Sequence, residues 1–135
     1  MFTCRKESLG IAPSSEVLKK ARQIIKEYRS KCLSKAQSEK KKGYTRPFIK
    51  SVKTRTKFYI DDFHYHINAK PYDDMVRRYS LIPCVFELLQ FTKEKPVYSD
   101  KDNYYFLGIS ANNENFKVIV RKEKGGYALQ SFHRT

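Results

Sequence analysis

Several residue types are scarce in this 135-residue chain, and each scarcity narrows the class of protein. There is no tryptophan, and the three cysteines, Cys4, Cys32 and Cys84, are widely spaced and form no Cys-X-X-Cys pair. This argues against a disulfide framework and a zinc knuckle, and it favours reduced thiols in a cytoplasmic protein. No apolar run reaches the length of a membrane span, and residues 1–12 lack the apolar core of a signal peptide.

Acidic residues are also scarce, but only in the N-terminal part of the chain. Residues 1–57 contain 17 Lys and Arg against four Glu, a net charge of +13, whereas residues 58–135 contain 11 basic and 10 acidic residues, a net charge of +1. A positive field concentrated in this way favours a polyanionic partner, above all RNA or DNA, with salt-sensitive binding. An acidic protein or an anionic membrane surface would also satisfy it.

The N-terminal portion predicts a loose arm followed by one long amphipathic helix. Residues 1–12 form the expected arm, and Pro13-Ser14-Ser15-Glu16 supplies a capping hydroxyl and an acid for the first turn of a helix. Apolar residues then recur three and four positions apart as far as Ala36. The helix is expected to end near Gly43, where its last turns are basic.

Residues 50–57 predict an extended, strongly basic segment. In a strand, Lys53, Arg55 and Lys57 would share one face. Such a row of like charges either lies along phosphate groups or belongs to a solvated edge strand.

The rest of the chain predicts short helices followed by a β-meander. A strand is expected over residues 58–67, and short helices over 71–79 and 84–91. The meander strands are 104–109, 116–121 and 127–133, bounded by Asn and Gly turns. The sequence therefore predicts a single α+β domain over residues 1–135, in which a long N-terminal helix and short helices pack on one face of a three- to four-stranded antiparallel sheet.

The order of segments in residues 58–135 carries a resemblance. A short helix is followed by a proline and a strand that begins Val-Tyr-Ser-Asp, then by Asp-Asn-Tyr-Tyr-Phe, Phe-Lys-Val-Ile-Val-Arg, a glycine turn and a final Ser-Phe-His-Arg-Thr. This order is similar to the barnase/EndoU/colicin/RelE-like ribonuclease superfamily, particularly its phage- and toxin-associated branches. The resemblance implies a metal-independent RNase core without a cofactor, with N-terminal helices on a four-stranded antiparallel sheet. It also implies a toxin or phage effector that acts on tRNA or mRNA and is restrained by an inhibitor protein.

The resemblance also implies site residues by position. The last strand of the superfamily typically ends Thr-Ala-Tyr-Arg-Thr, so Ser131 takes the place of the threonine and His133 that of the tyrosine, while Arg134 and Thr135 match. His64 or His66 takes the place of an upstream histidine. This chain departs from the pattern in its Ser-Phe-His segment, and the residues after His66 lack the second histidine that many relatives carry.

Metal-free RNA cleavage needs a general base near the ribose 2′-hydroxyl, a general acid near the leaving oxygen, and cations around the phosphorane. The candidate catalytic residues are His64, His66, Ser131, His133 and Lys70. The candidate RNA-binding residues are Lys53, Arg55, Lys57, Arg121, Arg134 and Tyr105. Zinc ligation by the three histidines is a minor alternative to their role in catalysis.

Three functions follow from these residues. The first is a metal-independent endoribonuclease that cleaves tRNA or mRNA in the cytoplasm. The second is a non-catalytic, basic RNA- or DNA-binding protein on a nuclease-like scaffold. The third is an interaction protein whose basic helix binds an acidic partner.

Overall fold

The computed structural model describes the backbone of residues 1–38 and 46–135, and the side chains of residues 1–32 and 46–135. The elements are β1 (Phe2–Thr3), α1 (Ser14–Ser38), β2 (Phe48–Lys50), β3 (Lys57–Tyr59), α2 (Phe63–Asn68), α3 (Tyr72–Tyr79), α4 (Ile82–Phe91), β4 (Val97–Asp100), β5 (Asn103–Ile109), β6 (Asn115–Glu123) and β7 (Gly126–Arg134). The predicted end of α1 near Gly43 lies outside the described residues.

The strands form one mixed, curled sheet in the order β1-β5-β6-β7-β3-β2, with β4 also paired to β5. The pairs β1–β5 and β3–β7 are parallel, and the other pairs are antiparallel. The predicted three- to four-stranded antiparallel sheet is therefore wrong, because the described residues contain seven strands of mixed direction. Strands β1, β2 and β3 have only two or three residues, too few to show a period, whereas β4 coincides with the Val-Tyr-Ser-Asp strand of the resemblance and is exposed throughout.

The meander of β5, β6 and β7 is confirmed, and its register separates two faces. Phe106, Val118 and Phe132 are register partners and are buried on the face that meets the helices. Since side chains alternate along a strand, the residues between them point to the other face. In the described part of the chain, the residues that flank these three along their strands are exposed or half-buried.

Aromatic rings join the helices to the core face. Phe63 of α2 lies 5.7 Å from Phe132 of β7 and 6.3 Å from Phe86 of α4, measured between ring centroids. The Phe86 ring also lies 4.7 Å from that of Tyr28 on α1. Burial of four such rings supplies several kcal/mol of hydrophobic stabilisation and fixes α1, α2 and α4 against the sheet. None of the helices in the described part of the chain is both long enough and apolar enough to cross a membrane.

The strand predicted over residues 58–67 is wrong beyond Tyr59. Residues Phe63–Asn68 form α2, in which Phe63 and Ile67 are both fully buried. Their i, i+4 spacing places both on one side of a helix. The histidines at positions 64 and 66 consequently do not share a strand face.

The extended basic row predicted over residues 50–57 is also wrong. The chain turns between β2 and β3, where the Ser51 amide donates to the Thr56 carbonyl oxygen at 2.8 Å. Arg55 takes a left-handed conformation with φ 64°. Lys53, Arg55 and Lys57 therefore do not line up along one strand.

The first twelve residues, predicted to be a loose arm, are instead held against the sheet and α4. Strand β1 pairs with Gly108 and Ile109 of β5. The carboxylate of Glu87, which is 5 % exposed, accepts hydrogen bonds from the backbone amides of Arg5 and Lys6.

Arg46 joins three parts of the chain, and it provides a test of this architecture. It donates to both carboxylate oxygens of Asp61 at 2.8 and 3.1 Å and to Glu123 at 2.6 Å. The Arg46 hydrogen bond is the main reason that the pKa of Glu123 is lowered. Burial alone would raise the pKa of Asp61, but hydrogen bonds, first that of Arg46, outweigh it and lower the pKa.

We expect Arg46→Gln to lower the free energy of unfolding at pH 7 by about 1–3 kcal/mol, because two partly buried carboxylates lose their cation. Carboxylates with lowered pKa stabilise the fold above their unfolded-state pKa, near 4, and lose this contribution as the pH falls through the folded-state value. Urea unfolding at pH 7 and pH 3 should therefore show the difference from wild type shrinking at pH 3. Arg121→Gln, which removes only a more exposed contact to Glu123, is the control and should cost less than about 1 kcal/mol. An Arg46→Gln deficit that is the same at both pH values would contradict this account.

Candidate nucleic-acid interface

The open face of the meander carries two cross-strand rows. Its residues are Tyr105, Leu107, Lys117, Ile119, Ser131 and His133, which we call the open face. Tyr105, Ile119 and Ser131 are register partners in one row, and Leu107, Lys117 and His133 are partners in the next. Directly opposed side chains on a sheet have Cβ atoms about 4.5–5.5 Å apart, so Lys117 is the immediate neighbour of His133.

A lysine and an aromatic ring pair diagonally across these rows. The Nζ atom of Lys117 lies 4.4 Å from the centroid of the Tyr105 ring. A cation at this distance is attracted by the negative face of the ring and is held in place by it. Tyr105, Lys117 and His133 are each only partly buried, so the group is accessible from solvent.

The contact made by His133 fixes which ring nitrogen is available for chemistry. Its Nδ1 lies 3.0 Å from the carbonyl oxygen of Arg134. A carbonyl oxygen only accepts, so in the neutral ring Nδ1 carries the proton and donates it to this oxygen. The unprotonated nitrogen is then Nε2, which is the atom that can take up a further proton.

Ser131 is held by an arginine that reaches in from α3. Arg78 Nη1 donates to Ser131 Oγ at 2.9 Å, and Arg78 Nε donates to the Asp74 carboxylate at 3.1 and 3.2 Å. This approach is possible because β3 pairs only with Tyr127 and Ala128 of β7, which leaves the edge of β7 free near Ser131. The Ser131 hydroxyl is therefore held by a guanidinium whose charge is paired with Asp74.

His64 lies in a different place from His133. It belongs to a groove of about 450 Å³ between α1 and α2, lined also by Arg22, Lys26, Arg29 and Tyr79. Arg29 Nη2 lies 3.2 Å from His64 Nδ1, and because a guanidinium only donates, Nδ1 is the acceptor. Burial first, and then the charge of Arg29, lower the pKa of His64 and favour the neutral ring.

The structure brings together some of the sequence-predicted residues and separates others. Tyr105, Ser131 and His133 meet on the open face, whereas His66 and Lys70 are exposed in and just after α2. No contact among the described residues joins either of these two to His133.

Two of the predicted RNA-binding arginines already have partners. Arg134 donates to the Arg77 carbonyl oxygen at 2.7 Å, to Ser80 Oγ at 2.9 Å and to the Glu114 carboxylate at 3.0 Å, which is the role of a structural clamp. Arg121 lies on the same face of β6 as Lys117 and Ile119, one row beyond the open face. It donates to Glu123 at 3.2 Å.

The predicted basic row is divided between two cavities. Lys53 lines a cavity with Arg5 and Lys6, whereas Arg55 and Lys57 line another beside the β6–β7 turn.

Two residues of this region were missed by sequence reasoning. Lys117 could have been predicted from the sequence, because alternation along residues 116–121 places it on the face opposite Phe116 and Val118. Arg78 carried no such signal, since its contact with Ser131 spans 53 positions and depends on the free edge of β7.

The zinc alternative requires the three histidines to converge. Among the described residues, no group of three or more His, Cys, Asp or Glu side chains is placed to hold a metal ion. Comparisons with protein-family models, with curated proteins and with solved structures find no match to this chain.

Proposed function

We propose that this protein is a metal-independent endoribonuclease that binds single-stranded RNA on the open face. The observation that carries the proposal is the cross-strand pair of His133 and Lys117 beside the half-buried ring of Tyr105. Proton transfer and positive charge are requirements of metal-free RNA cleavage, and the aromatic ring adds base stacking for binding. The resemblance of residues 58–135 to the ribonuclease superfamily supports the same choice, with tRNA or mRNA as substrate.

Binding would use the sheet surface as a platform. An exposed aromatic ring on a sheet stacks a base of single-stranded RNA, at about 1–3 kcal/mol per base. The Lys117 ammonium covers one face of the Tyr105 ring, so it has to move aside for a base to stack there, and it then lies close to the phosphate of that nucleotide.

The chemistry assigns a role to each side chain. His133 Nε2 takes the proton of the 2′-hydroxyl, the 2′-oxygen bonds to phosphorus, and the bond from phosphorus to the 5′-oxygen breaks. The Lys117 ammonium stabilises the charge on the phosphorane and gives a proton to the leaving 5′-oxygen. Arg78, whose charge is paired with Asp74, fixes the Ser131 hydroxyl beside the site. The products are a 2′,3′-cyclic phosphate and a 5′-hydroxyl.

The test is incubation of the purified protein with tRNA, total RNA and a defined oligoribonucleotide, with and without EDTA. We expect chelator-resistant cleavage that yields 2′,3′-cyclic phosphate ends. An oligonucleotide with a single 2′-deoxyribose at the cleaved position should remain intact, because it lacks the nucleophile. Cleavage of that deoxy substrate, or cleavage that EDTA abolishes, would contradict the proposal.

A non-catalytic RNA-binding protein is the second candidate, and one observation favours it. Of the three histidines, only His133 lies on the open face, whereas His64 and His66 belong to α2. A platform with one histidine retains binding even if proton transfer is not supported. Intact RNA in all incubations, together with a gel shift that weakens steeply with salt, would establish this second function instead. Salt-sensitive binding to an acidic protein without affinity for RNA would point to the interaction protein.

A further inference from the structure

A second basic site lies at the far end of strands β6 and β7. It is a cavity of about 640 Å³ between the β2–β3 turn, the segment before β4 and the β6–β7 turn, which we call the turn pocket. Five cationic residues line it: Arg55, Lys57, Lys95, Lys122 and Lys124. The volume is in the range of sites that hold a small molecule or part of a polymer.

The two acidic residues of the turn pocket do not neutralise these cations. Glu94 accepts from the amino group of Met1 at 2.8 Å, and Glu123 accepts from Arg46 and Arg121 at 2.6 and 3.2 Å. In the described part of the chain, no ion pair joins any of the five lining cations to a carboxylate. The turn pocket therefore presents a group of cations without a carboxylate partner among the described residues, which an anionic ligand would pair.

The walls of the turn pocket are fixed rather than loose. Arg55 is held in its left-handed conformation by a hydrogen bond of 2.9 Å from its amide to the Ser51 carbonyl oxygen. A Cβ atom at Gly126 would collide with the carbonyl oxygen of Lys57, so the β6–β7 turn lies directly against the start of β3. A left-handed arginine costs about 1 kcal/mol or more, and such strain is concentrated at functional sites.

Aromatic rings set the position of two of the ammonium groups. Lys122 Nζ lies 4.7 Å from the Tyr127 ring centroid, and Lys57 Nζ lies 4.9 Å from that of Phe48. Lys122 is thus pre-positioned at the pocket, because Tyr127 also lines it, and this lowers the entropic cost of ordering that lysine around an anion.

We propose that the turn pocket binds the phosphate backbone of the same RNA strand that occupies the open face. Lys117 and Lys122 are five positions apart on β6, a distance of about 17 Å along the strand, and because this number is odd their side chains point to opposite faces of the sheet. The RNA strand therefore passes round the end of β6 and β7, where Arg121 lies on the open side and its ion-pair partner Glu123 lines the pocket. This inference rests on the proposed function, and it assigns the pocket to nucleotides outside the cleaved bond.

The test uses the double variant Arg55→Asn/Lys124→Gln. Asparagine is chosen because it tolerates a left-handed conformation. Lys93→Gln/Lys101→Gln is the matched control, since it removes two exposed lysines that do not line the pocket. Binding is measured by fluorescence anisotropy with a 2′-O-methyl 16-mer, which cannot be cleaved, and cleavage is measured separately with a trinucleotide.

We expect the pocket variant to bind the 16-mer at least 10-fold more weakly, and the slope of log K against log salt to fall by about 1.4 for two lost phosphate contacts. Trinucleotide cleavage and the affinity of the control variant for the 16-mer should each change by less than 2-fold. Unchanged 16-mer affinity in the pocket variant, or an equal loss in the control, would overturn the proposal. Weaker 16-mer binding in a protein whose wild type cleaves no RNA would support the pocket and reject the proposed catalysis.

Discussion

His133→Ala is expected to reduce kcat for RNA cleavage by about 10²–10⁴-fold, the usual contribution of a positioned general acid or base. The imidazole is held by its Nδ1 contact to the Arg134 carbonyl oxygen and is the register partner of Lys117. Alanine removes the proton acceptor but leaves the cation and the Tyr105 ring in place. We therefore expect the Kd for an uncleavable 2′-O-methyl RNA to change by less than about 3-fold.

The α2 histidines provide the controls for this prediction. His66→Ala removes an exposed imidazole that makes no contact with the open face in the described residues, and it should retain cleavage. His64→Ala removes the partner of Arg29, and it should retain cleavage as well. If His133→Ala cleaves normally and His64→Ala does not, the site lies in the α1–α2 groove and the assignment to the open face is wrong. Melting temperatures equal to that of wild type would show that any loss of cleavage in the three variants is not caused by unfolding.

The fold divides into parts that local sequence patterns specify and parts that they do not. The meander was predictable because its strands are seven to nine residues long and alternate between buried and less buried residues over 105–109, 115–121 and 131–133. Strands β1, β2 and β3 are too short to show any period, and their pairing with β5 and β7 joins distant parts of the chain. The predicted antiparallel sheet failed for this reason, since both parallel pairs involve these short strands.

The misassignment of α2 has a specific cause. Residues 58–67 are rich in aromatic and β-branched types, which favour strands, and this composition concealed the i, i+4 pair of Phe63 and Ile67. Burial of that pair against Phe86 and Phe132 decides the helix. Because of this packing, His64 and His66 lie on α2, whereas His133 lies on β7.

The site was predictable only where it follows strand alternation. Ser131 and His133 share a face by their spacing of two, and Tyr105 joins them through the meander register. The contact of Arg78 with Ser131 and the distribution of Lys53, Arg55 and Lys57 between two cavities depend on loop geometry and on the free edge of β7. The spacing of residue types along the sequence contains no information on loop geometry or on which strand edge stays free.

Glu87→Ala is expected to have the largest effect on stability among the polar substitutions considered. The Glu87 side chain is almost fully buried in α4, and its two oxygens accept three hydrogen bonds of 2.8–3.1 Å from the amides of Arg5 and Lys6. Alanine leaves two backbone donors without their partner in a partly buried setting, where each unsatisfied donor costs about 1–3 kcal/mol. We expect the free energy of unfolding in urea to fall by about 2–4 kcal/mol, and hydrogen exchange at the Arg5 and Lys6 amides to lose protection.

Two further variants compare the buried carboxylate of Glu87 with an exposed carboxylate that also binds the N-terminal segment. Glu87→Gln keeps the shape but replaces one acceptor oxygen with a donor NH₂, which faces an amide donor, so it should recover only part of the loss. Glu94→Gln is the matched control, because Glu94 also binds the N-terminal segment, through the Met1 amino group, but its side chain is 56 % exposed. Exposed ion pairs contribute less than about 1 kcal/mol, and the control should stay within that limit. Equal stability of the Glu87→Ala and Glu94→Gln variants would mean that residues 1–12 behave as the loose arm that their sequence suggests, with β1 contributing nothing to the stability of the sheet.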